Sequence, residues 1–158
     1  MSKILVSYFS ASGVTAKVAA SLAKIIGADL YEIEPEERYT EADLDWRDPE
    51  SRSSVEMKDR ASRPAIKTKV ENFAQYDTIF IGFPIWWYRE PSIIDTFLEA
   101  YDFGGKTIVP FATSGSSGFG ESGDSIRSIV PSAVVKEGKR FAVPASDETL
   151  KEWAEQFI

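Results

Sequence analysis

Short, almost wholly apolar runs give way to segments of helical period about five times along this chain, and few folds accommodate that rhythm. Lys3–Ser7 is a lysine followed by Ile-Leu-Val-Ser and predicts a fully buried first strand that ends in a Ser/Gly turn. Beyond Gly13, the residues Val14, Val18, Leu22, Ala23 and Ile26 recur at helical spacing, with Lys17 and Lys24 on the outer face. Gly27 stands where a glycine closes a helix. Leu30–Ile33 predicts a second strand with alternating exposure, and Ile66, Val70 and Phe73 predict a short helix. Thr78–Phe83 (TIFIGF) is the strongest strand signal, and Pro91 opens a helix with Ile93, Ile94, Phe97 and Leu98 facing inward. Thr107–Ala112 reads as a strand interrupted by Pro110 near its end, and Ile126, Ile129 and Val130 as a helix behind Gly123. Ala133–Val135 is a weak fifth strand that Arg140–Val143 extends or follows. Ser146 caps a final helix with Leu150, Trp153, Ala154 and Phe157 on one face.

Strands this apolar belong to a parallel sheet covered on both sides. With right-handed crossovers the expected architecture is an α/β three-layer, doubly wound sandwich. The chain, 158 residues long, suits one domain spanning 1–158. Residues 34 to 64 stand apart as an acidic insertion with Pro35, Pro49 and Pro64 and no sustained period. Between Glu32 and Glu56 there are ten acids and three bases, a net of −7 that equals the net charge of the whole chain.

Cysteine and histidine are absent. Thiol redox chemistry, iron–sulfur ligation, the common zinc sites and Ser-His-Asp catalysis are thereby excluded. Redox work by this chain would require a bound organic cofactor. The acidic balance argues against nucleic acid. No apolar stretch approaches the roughly 20 residues that span a bilayer, and Ser10–Gly13 breaks the first apolar run too early for a signal peptide. A soluble, cytoplasmic protein without a membrane partner is the expectation.

In doubly wound folds, ligands lie beyond the carboxyl ends of the strands. Three loops are expected there. Ser10-Ala11-Ser12-Gly13-Val14-Thr15 converges hydroxyls and free N–H groups on a helix N-terminus, an arrangement that suits one phosphate held without a cation. The same residues would also serve as a plain helix cap, with Ser12 as the N-cap. Pro84-Ile85-Trp86-Trp87-Tyr88-Arg89-Glu90-Pro91 sets three consecutive aromatics after a buried strand. They offer a flat stacking surface, or cover the edge of the core. Thr113-Ser114-Gly115-Ser116-Ser117-Gly118-Phe119-Gly120 leaves room for a planar ligand; a plain Ser/Gly linker makes little sense between a core strand and a helix.

These three loops in this order resemble those of the flavodoxin family, along essentially the whole chain. Arg63-Pro64 at the end of the acidic insertion and the Trp86-Trp87 pair resemble a bacterial flavodoxin-like subgroup. The resemblance implies a five-stranded parallel sheet of order 2-1-3-4-5, for which flavodoxin is a standard example, and flavin mononucleotide (FMN) as cofactor. It implies that the hydroxyls of Ser10, Ser12 and Thr15, with the N–H groups of Gly13 and Val14, bind the phosphate. Pro84, Ile85, Trp86 and Trp87 would border the ribityl chain and one ring face, with Trp86 or Tyr88 stacking. Thr113, Ser114 and Gly115 would meet the pyrimidine edge within the loop that also carries Ser116 and Gly118, and Phe119 is a candidate lid. The chain departs from the family in having no Gly or Asn between Pro84 and Pro91, so a peptide flip toward a half-reduced ring is costly and that form should accumulate less.

The function implied is an electron carrier between redox protein partners, to which the acidic segment would present a docking surface for a basic protein. An FMN-dependent NAD(P)H quinone or azo-compound reductase is the alternative. A receiver-type signalling domain, for which the first strand lacks metal-binding acids, and a flavin-free interaction domain are more distant readings.

Overall fold

A computed structural model describes residues 3–11, 13–59, 61–86, 89–113, 122–141 and 146–158. Within them a parallel sheet forms from β1 (Lys3–Tyr8), β2 (Asp29–Glu32), β3 (Tyr76–Pro84), β4 (Thr107–Thr113), β5 (Val134–Val135) and β6 (Lys139–Phe141). The spatial order is β2-β1-β3-β4-β5, with β6 also paired to β4. The helices are α1 (Val14–Ile26), α2 (Arg52–Lys58), α3 (Ser92–Ala100), α4 (Ser122–Ile129) and α5 (Asp147–Ala154). This is the expected three-layer α/β sandwich, its fifth strand position filled by two short pieces.

Along β3, Ile79, Ile81 and Phe83 enter one buried cluster with Ile94 and Phe97 of α3 and Ile126 of α4. Phe80 enters the other with Val18 and Leu22 of α1 and Leu150 and Trp153 of α5. The central strands β1, β3 and β4 are apolar at successive positions because helices cover both faces. Gly82 is required by packing: a Cβ there would lie 2.3 Å from the Phe111 ring. No helix among the described residues is long and apolar enough to cross a membrane.

The structure corrects several local expectations. Pro110 does not interrupt β4, where it pairs in register with Ile81. The carbonyl of Ile108 accepts from Lys136 N–H on the outer side. Main-chain groups alternate sides along a parallel strand, so the N–H that Pro110 lacks falls at the gap between β5 and β6. β2 is an edge strand without alternating exposure, and Leu30 on it is exposed. The inward face of α1 is Thr15, Val18, Ala19, Leu22 and Ala23; Val14 is exposed. Ala133 precedes β5, and the expected strand Arg140–Val143 appears as Lys139–Phe141, its last two residues lying outside the described ones.

The helix expected over Ile66–Phe73 is absent, apart from a 3-10 turn at Phe73–Gln75. Its apolar residues serve long-range contacts instead. Ile66 bridges to Pro35, Glu36 N–H donates to Ala65 O, and Lys67 N–H to Glu34 O. Hydrogen bonds thus zip the two ends of the acidic insertion together. Inside it, α2 is capped by Ser51, whose side chain accepts from Ser54 N–H. Arg63 clamps the insertion to α3 through both oxygens of Glu99, at 2.8 and 2.9 Å.

Candidate functional site

In this strand order β1 leads outward to β2 and β3 leads the opposite way to β4, which opens a crevice at their carboxyl ends. Phe9 N–H donates to Gly82 O at 2.9 Å, and Ile85 N–H to Thr113 O at 3.3 Å, so main-chain bonds hold the three loop bases in register. Side chains tie them further. The buried hydroxyl of Thr15, at the start of α1, lies 2.7 Å from that of Thr113 at the end of β4. Each hydroxyl has one hydrogen and two lone pairs, so this bond leaves the pair able to bind once more on each side.

The first loop turns through Gly13 at φ +90°, with open space where a Cβ would be. Helix α1 begins there with no side-chain cap among the described residues and no acid in its first turn. Ser10 Oγ accepts from Gly13 N–H at 3.0 Å. Among the described residues no side chain accepts from the other first-turn N–H groups, where the positive end of the helix dipole lies. A donor set of amides and hydroxyls without a cation fits a phosphate monoester; Ser12, the candidate N-cap, lies outside the described residues.

In the second loop, Trp86 and Arg89 exchange both main-chain hydrogen bonds, at 3.0 and 3.1 Å. Trp86 is half-buried. Its ring meets Phe9 edge-on at 5.6 Å and Tyr39 at 5.4 Å. Tyr39, from the acidic insertion, was not marked by the sequence reading. Its phenol donates to Glu56, and the Arg52 guanidinium sits 3.9 Å from its ring centroid. Burial first, and then that hydrogen bond, push the Tyr39 phenol well above its ordinary value. An aromatic flanked by Arg38 inside an acidic run was the only available signal.

The structure thus gathers Ser10, Gly13, Val14, Thr15, Pro84, Ile85, Trp86 and Thr113 at one rim. Ser12, Trp87, Tyr88, Ser114, Gly115, Ser116, Gly118 and Phe119 lie outside the described residues. A small cavity of about 70 Å³ adjoins this rim between Ser10, Glu32, Arg38 and Tyr39. A larger hollow of about 350 Å³ opens at the amino ends of β2 and β3, beside Asp29 and Asn72. It touches none of the site residues marked from the sequence.

Fold and rim define a doubly wound α/β protein with a crevice at its switch point. The sequence model of the flavodoxin family matches residues 3–157, and the chain belongs to that family. Among solved structures, a Bacteroides eggerthii protein classed as a flavoprotein is 49% identical, with 99% of this chain and 98% of that one covered and a TM-score of 0.93. A Bacteroides uniformis counterpart is 49% identical, with 98% of each chain covered and a TM-score of 0.93. A flavoprotein from Lactobacillus acidophilus, solved in complex with FMN, is 22% identical over 98% of this chain and 99% of its own, with a TM-score of 0.74, and shares the fold. No curated protein sequence matches the chain.

Proposed function

We propose that this protein binds FMN at the carboxyl ends of β1, β3 and β4 and carries electrons between redox protein partners. The observation that carries the reading is the start of α1 at Gly13, which has no side-chain cap among the described residues and is tied to the third loop through the Thr15–Thr113 bond. Family membership supports it, as does the FMN complex of the Lactobacillus acidophilus relative. When bound, the flavin supplies the electron chemistry that a chain without cysteine or histidine lacks. The side chains bind and orient. Amides at the start of α1 hold the phosphate, the Thr15–Thr113 pair sets the spacing of two loops, and Trp86 excludes water from one side. Exposed acids of the insertion, among them Glu36, Glu37, Glu41 and Asp48, offer a basic partner protein an attractive approach.

The visible spectrum of freshly purified protein, followed by calorimetry with added FMN, tests the assignment. Flavin absorption bands or saturable binding are expected; colourless protein indifferent to FMN would remove it. The carrier and the reductase separate on NAD(P)H oxidation without an added reductase, which a carrier supports only negligibly.

A further inference from the structure

Three aromatic rings from three separate segments meet at the crevice rim. Phe9 follows β1, Trp86 lies just after β3, and Tyr39 belongs to the acidic insertion. Ring centroids stand 5.6 Å apart for Phe9 and Tyr39, 5.6 Å for Phe9 and Trp86, and 5.4 Å for Tyr39 and Trp86. The interplanar angles are 63, 90 and 75°, so each pair meets edge to face, as ring quadrupoles favour. Phe9 is 1% exposed and is fixed by the core around it. Trp86 is only half-buried, and an indole with part of its surface free keeps one orientation only when neighbours impose it.

Tyr39 is itself held from its own side. Its phenol donates to Glu56 Oε1, and Arg52 Nε donates to Glu56 Oε2 at 3.0 Å. The same guanidinium sits 3.9 Å from the centre of the Tyr39 ring, and Arg52 Nη1 donates to Glu37 O at 2.7 Å. Phenol, carboxylate and guanidinium thus close a circuit of contacts. Arg52 and Glu56 lie one turn apart on α2, and Ser92 Oγ of α3 donates to Glu56 O at 3.2 Å, which fastens that helix to the body of the fold. A solvated charged loop needs none of this. Its acids account for its charge, but not for a half-buried tyrosine packed on a tryptophan. Tyr39 also lines, with Phe9, Ser10 and Arg38, the small cavity beside the first loop. The insertion therefore reaches the crevice both at Ser10 and at Trp86.

We propose that Tyr39 is a positioning residue for the flavin: packed against Phe9 and Trp86 and mounted on the Arg52–Glu56 pair, it fixes the indole that borders the isoalloxazine ring. The acidic insertion is then a wall of the cofactor site as well as a charged surface. The inference rests on the flavin-binding reading and extends it from three loops to a fourth segment.

The test compares FMN with riboflavin, which carries the same ring and no phosphate. Calorimetry gives both dissociation constants for the wild-type protein, Tyr39→Leu and Tyr39→Phe. Having to order one extra side chain on binding weakens affinity about two- to tenfold. Tyr39→Leu should weaken both ligands by a common factor in that range, because Trp86 borders the part they share. Tyr39→Phe keeps the ring contacts and the cation beside them, loses only the bond to Glu56, and should restore most of the affinity. FMN weakened with riboflavin unaffected would place the effect at the phosphate end and overturn the proposal. Unchanged constants for both ligands, or Tyr39→Phe as weak as Tyr39→Leu, would overturn it too.

A second readout needs no flavin. Nitrogen relaxation of the indole N–H groups, with Trp86 assigned through Trp86→Phe, reports how firmly each ring is held. In flavin-free protein the Trp86 indole should be as rigid as the backbone in wild type and Tyr39→Phe. It should loosen in Tyr39→Leu while the Trp153 indole, on the opposite face of the sheet, stays unchanged. A loose Trp86 indole in the wild type overturns the proposal even if Tyr39→Leu fails to fold. Indole motion that follows Tyr39 in protein that binds neither ligand would sink the flavin reading and leave the Tyr39 buttress standing.

Discussion

On the α1/α5 face of the sheet, Phe80, Phe111, Phe141 and Phe157 meet the Trp153 ring edge to face at 5.1 to 6.1 Å. On the α3/α4 face the apolar cluster is larger, yet it borders Arg89, Glu90 and Asp95, the buried charged residues among those described. The acidic insertion is tied down on that second face too, through Arg63 to Glu99 and through Ser92 to Glu56. One face is held by dispersion and area removed from water, which do not depend on pH. The other buries charge whose cost depends on a proton. A chain can concentrate robust packing on one side of a sheet and reserve the other for groups that respond to conditions.

The largest effect should come from the apolar face. Trp153→Ala removes the ring on which four phenylalanines converge. A loss of about 3–5 kcal/mol in urea unfolding is expected, equal at pH 6 and pH 9. A strongly pH-dependent loss would break the contrast between the faces.

Next comes the pH dependence of the wild type. The Glu90 carboxyl is raised from 4.5 to about 8 on folding, so the folded chain keeps a proton that the unfolded chain releases. Its contribution is whole below about 4.5 and is lost as pH rises toward about 8. Unfolding free energy should fall on the order of 3 kcal/mol across that window, and much less in Glu90→Gln. Parallel profiles for the two proteins would place the dependence elsewhere.

Thr15→Ala, at the rim where the two faces meet the crevice, should weaken FMN binding about ten- to a hundredfold through loss of a bond to a charged group. Calorimetry showing an unchanged constant would make the Thr15–Thr113 bond purely structural. The smallest effect belongs to Arg63→Ala. Its partner Glu99 is exposed, and about 0.5–1 kcal/mol of stability should be lost, less in high salt. A larger loss in urea unfolding would mean that Arg63 supports the buried carboxyls as well as the surface clamp.

Much of the fold was legible in order and type. Apolar runs at 3–7, 78–83 and 107–112 became β1, β3 and β4, Gly27 closed α1 in the left-handed conformation, and Ser146 capped α5 through Thr149 N–H. The misreadings share a cause. Ile66 and Val70 carry a helical spacing, but Ile66 bridges to Pro35 and Val70 N–H donates to the Tyr101 hydroxyl, so distant partners overrode a local period. Pro110 reads as a strand breaker only while the gap between β5 and β6 beside it is unknown.

What the amino-acid order settled alone is whatever depends on neighbours along the chain: strand and helix periods, caps, the Ser10–Thr15 turn and the aromatic run. Tyr39 against Trp86, Thr15 against Thr113 and Arg89 against Asp95 arise where the fold brings separate segments, or a loop and the helix after it, into the same dry space. Only the folded arrangement decides whether a carboxyl meets water or a guanidinium, because the cost of charge is set by surroundings and not by sequence position.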